Sequence, residues 1–274
     1  MNSSVRDLPQ IVDIYAIPEV YDVLHAPGTA RDVSMCLSAA RRFASGPAAS
    51  AREWVEPACG SGRYVRALAG RGCDAVGVDL SEGMIEYARQ RSTGRARARG
   101  KTTFVTGDMC SLDRCVGRKK FDAALNLINS VRHLESDARL ARHLESTAAA
   151  LRPGGVYIVG VSTAMYGHET PTEDVWHATR GRMKVTQVIQ YEPPTATRGP
   201  AARVEHAYSH ITVQSPTGSR EYVSRYKLRC YSRRQWLDAI NQSPLRLAAV
   251  INESGKEIDI PELGYGIYVL RRPV

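Results

Sequence analysis

Between residues 53 and 162, short apolar runs alternate with stretches in which apolar residues recur every three or four positions. The runs at 53–58 (EWVEPA), 73–81 (CDAVGVDLS), 102–109 (TTFVTGDM), 121–128 (FDAALNLI) and 155–162 (GVYIVGVS) predict strands. The stretches at 63–72, 82–91 and 137–155 predict helices, the last one including LRPGG. Strands alternating with helices of this length imply βαβ units and a parallel sheet covered on both faces. Such sheets bind ligands at the carboxyl ends of their strands.

The flanks have other textures. Residues 10–45 predict helices, with an apolar stripe at Val33, Cys36, Leu37, Ala40 and Phe43, until Gly46 and Pro47 break the pattern. After Ser162 the period shortens to two over 181–193, 202–215 and 220–232, with the turn-rich segments PTATRGP and PTGS between, which predicts antiparallel strands. A helix over 232–242 and apolar runs at 245–251 and 265–272 return the chain to its first sheet.

Composition adds exclusions. No apolar run approaches the roughly 20 residues of a membrane helix, and residues 1–15 lack the basic and apolar blocks of a secretory signal. The six cysteines form no CxxC pair, which argues against zinc and disulfides and for reduced thiols in a cytoplasmic protein. No Asp/Glu/His cluster at ligand spacing suggests a metal. The net charge of +9 is concentrated in Arg89 to Lys101, where six basic residues carry no acid between them. That segment reads as a solvated link, with RNA or phosphate contact as the alternative.

Candidate chemistry lies in the turns. In WVEPACGSGRYV, Gly60 and Gly62 let the backbone turn tightly ahead of a helix whose first N–H groups are open to an anion. A dinucleotide fingerprint wants GxGxxG, but Val65 stands at the third glycine and disfavours NAD. Asp79 ends the second strand about twenty residues on, where a carboxylate accepts ribose hydroxyls. Asp108, beside Met109, ends the third strand and suits an adenine amino group next to its ring face. The fourth strand opens at Asp122 and runs to Asn126.

As a set, EPACGSG, VGVDLSEGMIEYAR, VTGDM, FDAALNLINSVRHL and LRPGGVYIV resemble the class I S-adenosylmethionine-dependent methyltransferases. The resemblance implies a Rossmann-like α/β fold with a seven-stranded, mostly parallel sheet and helices on both faces. Around it stand an N-terminal helical lid (1–50) and an antiparallel β insert (163–231) that roofs the substrate or joins subunits, with the core at 51–162 and a closing helix and strand pair at 232–274. It implies S-adenosylmethionine as cofactor and S-adenosylhomocysteine as product. By position, Glu56, Ala58, Gly60 and Gly62 would serve the methionine portion, Asp79 and Leu80 the ribose and adenine side, Asp108 and Met109 adenine, and Asn126 and Leu127 the sulfonium end. Met84 would pack beside adenine. Ala58 replaces the family's first glycine, on the reading that the position needs little volume rather than a positive φ.

The segment VYDVLH and the β insert narrow the likeness to the small-molecule branch of glycine N-methyltransferase and the aminosugar N,N-dimethyltransferases. That likeness brings Tyr21 and Arg31 to the cofactor's carboxylate. Methyl transfer is an in-line displacement that needs alignment and exclusion of water. An amine needs only to be deprotonated, whereas a hydroxyl needs a base or a metal. His133, just past the fourth strand, is the candidate base and Asn129 the candidate orienter, with Ser130, Tyr166, Trp176 and Tyr226 toward the substrate. His206, Tyr208 and His210 share one strand face opposite Glu205. The expectation is thus N- or O-methylation of a small molecule in secondary metabolism, with a homodimer as one assembly. Nucleic acid and membrane are not expected partners. An RNA methyltransferase using residues 89–101 and a non-catalytic cofactor-binding interaction protein are the rivals.

Overall fold

The computed structural model describes residues 9–93, 99–194 and 199–274. The chain opens with β1 (Gln10–Ile11), α1 (Pro18–His25) and α2 (Thr29–Phe43). It continues through β2 (Glu53–Pro57), α3 (Arg63–Gly70), β3 (Asp74–Asp79), α4 (Glu82–Ser92) and β4 (Thr102–Thr106). Then come α5 (Leu112–Val116), β5 (Phe121–Asn126), α6 (Asp137–Ala150) and β6 (Leu151–Thr163). Four strands follow, β7 (Thr172–Arg180), β8 (Met183–Glu192), β9 (Val204–Ser215) and β10 (Gly218–Arg229). The chain closes with α7 (Arg233–Gln242), β11 (Arg246–Ile251) and β12 (Gly264–Arg271).

One sheet has the order β11-β12-β6-β5-β2-β3-β4, with the β2 to β6 neighbours parallel and β12 and β11 antiparallel. From β2 the chain steps outward to β3 and β4, then returns to the other side of β2 for β5 and β6. Strand order therefore reverses between β2 and β5, and a crevice opens at their carboxyl ends. Helices cover both faces over two apolar cores, one around Trp54, Val65 and Leu68, the other around Tyr157, Trp236 and Tyr268. This is the predicted α/β fold class, with all seven strands in one sheet.

The second sheet has the order β1-β10-β9-β8-β7. Residues 10–11, predicted helical, pair with Tyr222 and Val223 of β10 instead. Gly28, at φ +80°, separates α1 from α2 within the region predicted helical. The LRPGG segment, predicted as a helix end, already belongs to β6. β7 was not predicted, because its residues are polar and mostly exposed and only the pairing with β8 makes them a strand.

The apolar side of α1 (Val20, Val23, Leu24) packs on Ala178, Val185, Ile211, Val213 and Tyr222 of the second sheet. Its other side reaches the first sheet through Asp22, which is 1% exposed. That carboxylate accepts hydrogen bonds from Ser61 at 2.6 Å, Arg66 at 2.8 Å, Arg180 at 2.6 Å and Tyr87 at 3.1 Å. Burial works to raise its pKa, but Arg66, Ser61 and Arg180 outweigh it and hold the group ionised below the usual carboxylate range. One buried acid thus ties α1 to the glycine turn, α3, α4 and β7.

Among the described residues no helix is long and apolar enough to cross a membrane, and no group of three or more His, Cys, Asp or Glu could hold a metal ion. All six cysteines are free. Of the basic link, residues 94–98 lie outside the described residues, so its reading as an electrostatic contact does too. Arg89 donates to the carbonyl of Phe104 at 2.9 Å, and Arg91 lies 3.9 Å from Asp22.

Candidate active site

The turn from β2 to α3 is built from left-handed backbone: Ala58 at φ +54°, Gly60 at +50° and Gly62 at +73°. The reading of Ala58 is corrected here. Its position does require a positive φ, so alanine is held in a conformation that L residues disfavour. The glycines are needed for space as well. A Cβ on Gly62 would sit 2.4 Å from the Phe104 ring, and one on Gly60 3.2 Å from the Tyr21 ring. α3 begins without a side-chain cap at Gly62, and the Val65 N–H of its first turn acts on the Glu56 carboxylate.

Asp79 closes the turn from β3. Its carboxylate accepts the Gly60 N–H at 2.7 Å and the Ser81 N–H at 2.9 Å. Burial raises its pKa, against the pull of those two amides.

A cavity of about 530 Å³ lies at the carboxyl ends of β2 and β5, between the two sheets. Of the predicted residues it is lined by Tyr21, Glu56, Ala58, Leu127, Asn129, Ser130, His133, Trp176 and Tyr226. The others lie outside its wall. Gly60, Gly62 and Asp79 frame the turn beneath it. Leu80 is 74% exposed, Met84 is fully buried in α4, and Met109 packs against the second core. Asp108 accepts the Cys110 N–H and pairs with Arg139 at 2.9 Å. The Asn126 amide donates to the Pro57 carbonyl at 2.6 Å, while its buried Oδ1 has no partner among the described residues. Arg31 points outward beside Asp32 and Glu253, and the Tyr166 hydroxyl bonds the Cys230 carbonyl and Gln235.

Glu56 is 5% exposed and its Oε2 is a buried oxygen with no hydrogen-bond partner among the described residues. Burial pushes its carboxyl well above the ordinary value, with Arg63 and Arg66 pulling the other way. A buried acceptor without a donor, on the wall of a cavity, fits a ligand cation. Tyr21 packs over Gly60, and burial lifts its phenol to about 12.

At the other end, the His133 Nε2 and the Tyr15 hydroxyl share a hydrogen bond of 3.0 Å. Burial, followed by the neighbouring Arg132, lowers the imidazole to about 4. His133 is therefore neutral at physiological pH. Asn129 has its amide occupied, donating to Ser162 Oγ at 3.0 Å and accepting the Ser162 N–H at 2.6 Å. On β9, Glu205 faces the cavity and pairs with Arg132 at 3.0 Å, while His206 lies on the opposite face.

Sequence reasoning missed Tyr15, Asp22, Arg63 and the Arg132–Glu205 pair. Tyr15 and Asp22 sit in a predicted helix where nothing distinguishes a packed residue from a cavity residue. The partner of Arg132 lies 73 residues away, on a strand whose register only the fold supplies.

Residues 55–155 match the family model described as a methyltransferase domain. Over 230 residues the chain is 26% identical to the dTDP-3-amino-3,4,6-trideoxy-alpha-D-glucopyranose N,N-dimethyltransferase of Streptomyces venezuelae, covering 84% of this chain and 90% of that protein. The chain is an S-adenosylmethionine-dependent methyltransferase. Over 161 residues the methyltransferase is 33% identical to the dTDP-3-amino-3,6-dideoxy-alpha-D-glucopyranose N,N-dimethyltransferase of Streptomyces fradiae, covering 58% of each chain. Its fold is similar to that of Streptomyces venezuelae DesVI, with a TM-score of 0.72, 21% identity and coverage of 96% and 99%. It is also similar to SAM-bound CalS10, an amino pentose methyltransferase from Micromonospora echinaspora, with a TM-score of 0.63, 20% identity and coverage of 97% and 100%.

Proposed function

We propose that this methyltransferase acts on a small molecule in secondary metabolism and that the acceptor atom is the nitrogen of a sugar-borne amine. The relatives named for aminosugars support the substrate class. The observation that carries nitrogen over oxygen is the Tyr15–His133 pair. An imidazole lowered to about 4 is a poor base for a hydroxyl, because general-base catalysis is most effective with a pKa near the working pH. A neutral amine needs no such base, only orientation and a surrounding that does not repel the charge it gains.

S-adenosylmethionine supplies an electrophilic methyl group. The orphan oxygen of Glu56 would receive its ammonium, and the glycine turn with the first turn of α3 would lie along its amino-acid portion. Asp79 would accept the ribose hydroxyls, with Asp108 and Met109 on the adenine side. Tyr21 would shield the turn from water, and Tyr15 and His133 would orient the acceptor nitrogen. The free thiols fit a reducing, cytoplasmic setting.

The test is incubation with methyl-labelled cofactor and matched sugars carrying an amine or a hydroxyl at the same carbon, with products read by mass spectrometry. Methylation of the amine alone is expected. Equal transfer to the hydroxyl would overturn the assignment to nitrogen.

A further inference from the structure

The segment leaving β5 carries the most demanding backbone in the cavity wall. Ile128 and Asn129 are both left-handed, at φ +57° and +60°. For a β-branched residue this region is a genuine outlier, and such strain persists only where the surroundings hold it. Three contacts do so. The Ile128 N–H donates to the Tyr265 hydroxyl at 3.2 Å, the Asn129 N–H donates to the Gly160 carbonyl at 3.3 Å, and the Asn129 side chain makes its two bonds to Ser162. Tyr265 lies so close over β6 that a Cβ on Gly160 would fall 1.9 Å from its oxygen, so the clamp has its own glycine slot.

This strained turn does not bury what it holds. The Ile128 side chain is 40% exposed and lines the cavity, as does Leu263, 53% exposed, at the entry to β12. Two large apolar residues thus stay substantially exposed on the lining of one cavity.

We propose that Ile128 is a positioning residue for the acceptor: the strained turn, clamped by Tyr265 and Ser162, presents it with Leu263 as an apolar platform for a hydroxyl-poor face of the acceptor. The inference rests on the amine-methylating reading and adds that the acceptor is amphipathic, with an apolar face on Ile128 and Leu263. Strain kept for function has a signature that ordinary packing lacks, because relieving it stabilises the fold and impairs the reaction.

The test compares Ile128→Asn, which tolerates the left-handed region, with Ile128→Val, which keeps the branch and most of the apolar surface. Ile128→Asn is expected to hold or raise Tm while kcat/KM for the amine acceptor falls at least tenfold, with cofactor affinity within twofold of the parent. Ile128→Val should keep kcat/KM within threefold. Tyr265→Phe should lower kcat without changing cofactor affinity. A clear drop in Tm for Ile128→Asn, or unchanged acceptor kinetics, overturns the proposal while the N-methyl reading stands. If the parent protein methylates no amine, that reading fails instead, and the melting comparison still reports on the strain.

Discussion

The carboxylate of Asp22, next in sequence to the Tyr21 that covers the glycine turn, accepts a hydrogen bond from the Arg180 guanidinium at 2.6 Å. The bond crosses from the N-terminal helix to β7. On the other side of the same carboxylate stand Ser61 of the turn and Arg66, which also donates to the Ser61 carbonyl. The α1 helix is thus a wedge whose apolar side lies on the second sheet and whose buried carboxylate joins β7 of that sheet to the glycine turn and α3.

Asp22→Ala is expected to be among the most damaging single changes, because it removes the buried carboxylate that Ser61, Arg66, Tyr87 and Arg180 share. Breaking one partner of a buried pair costs about 3–5 kcal/mol. Arg180 is about one-third exposed, so Arg180→Met should cost far less stability and act mainly through looser seating of α1. Thermal melts of both variants, with cofactor titrations, check this. Equal melting losses for the two would show that the bond to β7, rather than the buried charge, dominates.

Asp79→Ala should weaken S-adenosylmethionine binding by about 1.5–3 kcal/mol, since a charged acceptor of hydrogen bonds is lost. It also strands the Gly60 N–H. Calorimetry with unchanged affinity would reject the ribose assignment.

Glu56→Gln separates stability from binding. Because burial raises the Glu56 pKa, the folded state holds that proton more tightly than the unfolded state, and its stability falls as pH rises from the ordinary carboxylate range through the raised folded pKa. The amide removes that penalty. The apo variant should therefore melt higher than the parent near pH 8 while binding the cofactor more weakly. A variant that melts lower and binds equally well would place Glu56 in the scaffold alone.

Much of this was legible in the sequence, for a physical reason. The strands β2, β3, β5 and β6 are apolar runs because they are buried on both faces, and the acids at the strand ends stand out against that background. Ala58 shows the limit: its small volume was readable, but its positive φ follows from the path between β2 and α3. Asn129 and Arg31 had plausible residue types, yet Ser162 and Asp32 occupy them, and partner choice depends on packing that no local pattern encodes. β7 has almost no apolar signal because most of its surface faces water.

The buried histidines fix how the protein responds to acid. His133 is lowered to about 4 by burial and then by Arg132. His143 is lowered to about 4 by burial, against the Met109 carbonyl and Asp108, and His25 to about 3 by burial and then Arg63. Each is depressed in the folded state, so between about pH 6.5 and those values the unfolded chain binds more protons. The histidines' contribution to stability should be level above about pH 7 and be lost progressively as pH drops toward 4, whatever the opposing trend from Glu56. His143 is the one to isolate, because it lies away from the cavity lining and bonds the Tyr157 hydroxyl at 2.7 Å inside the core. His143→Gln should flatten part of the acid slope at some cost in stability at pH 7. His133→Gln should change the slope and also acceptor turnover. The pH profile of kcat/KM should show no limb near 6.5 from His133, its rise following the acceptor amine instead. A limb near 6.5 that disappears in His133→Gln would show that the imidazole titrates as a working base, and would move the assignment from nitrogen toward oxygen.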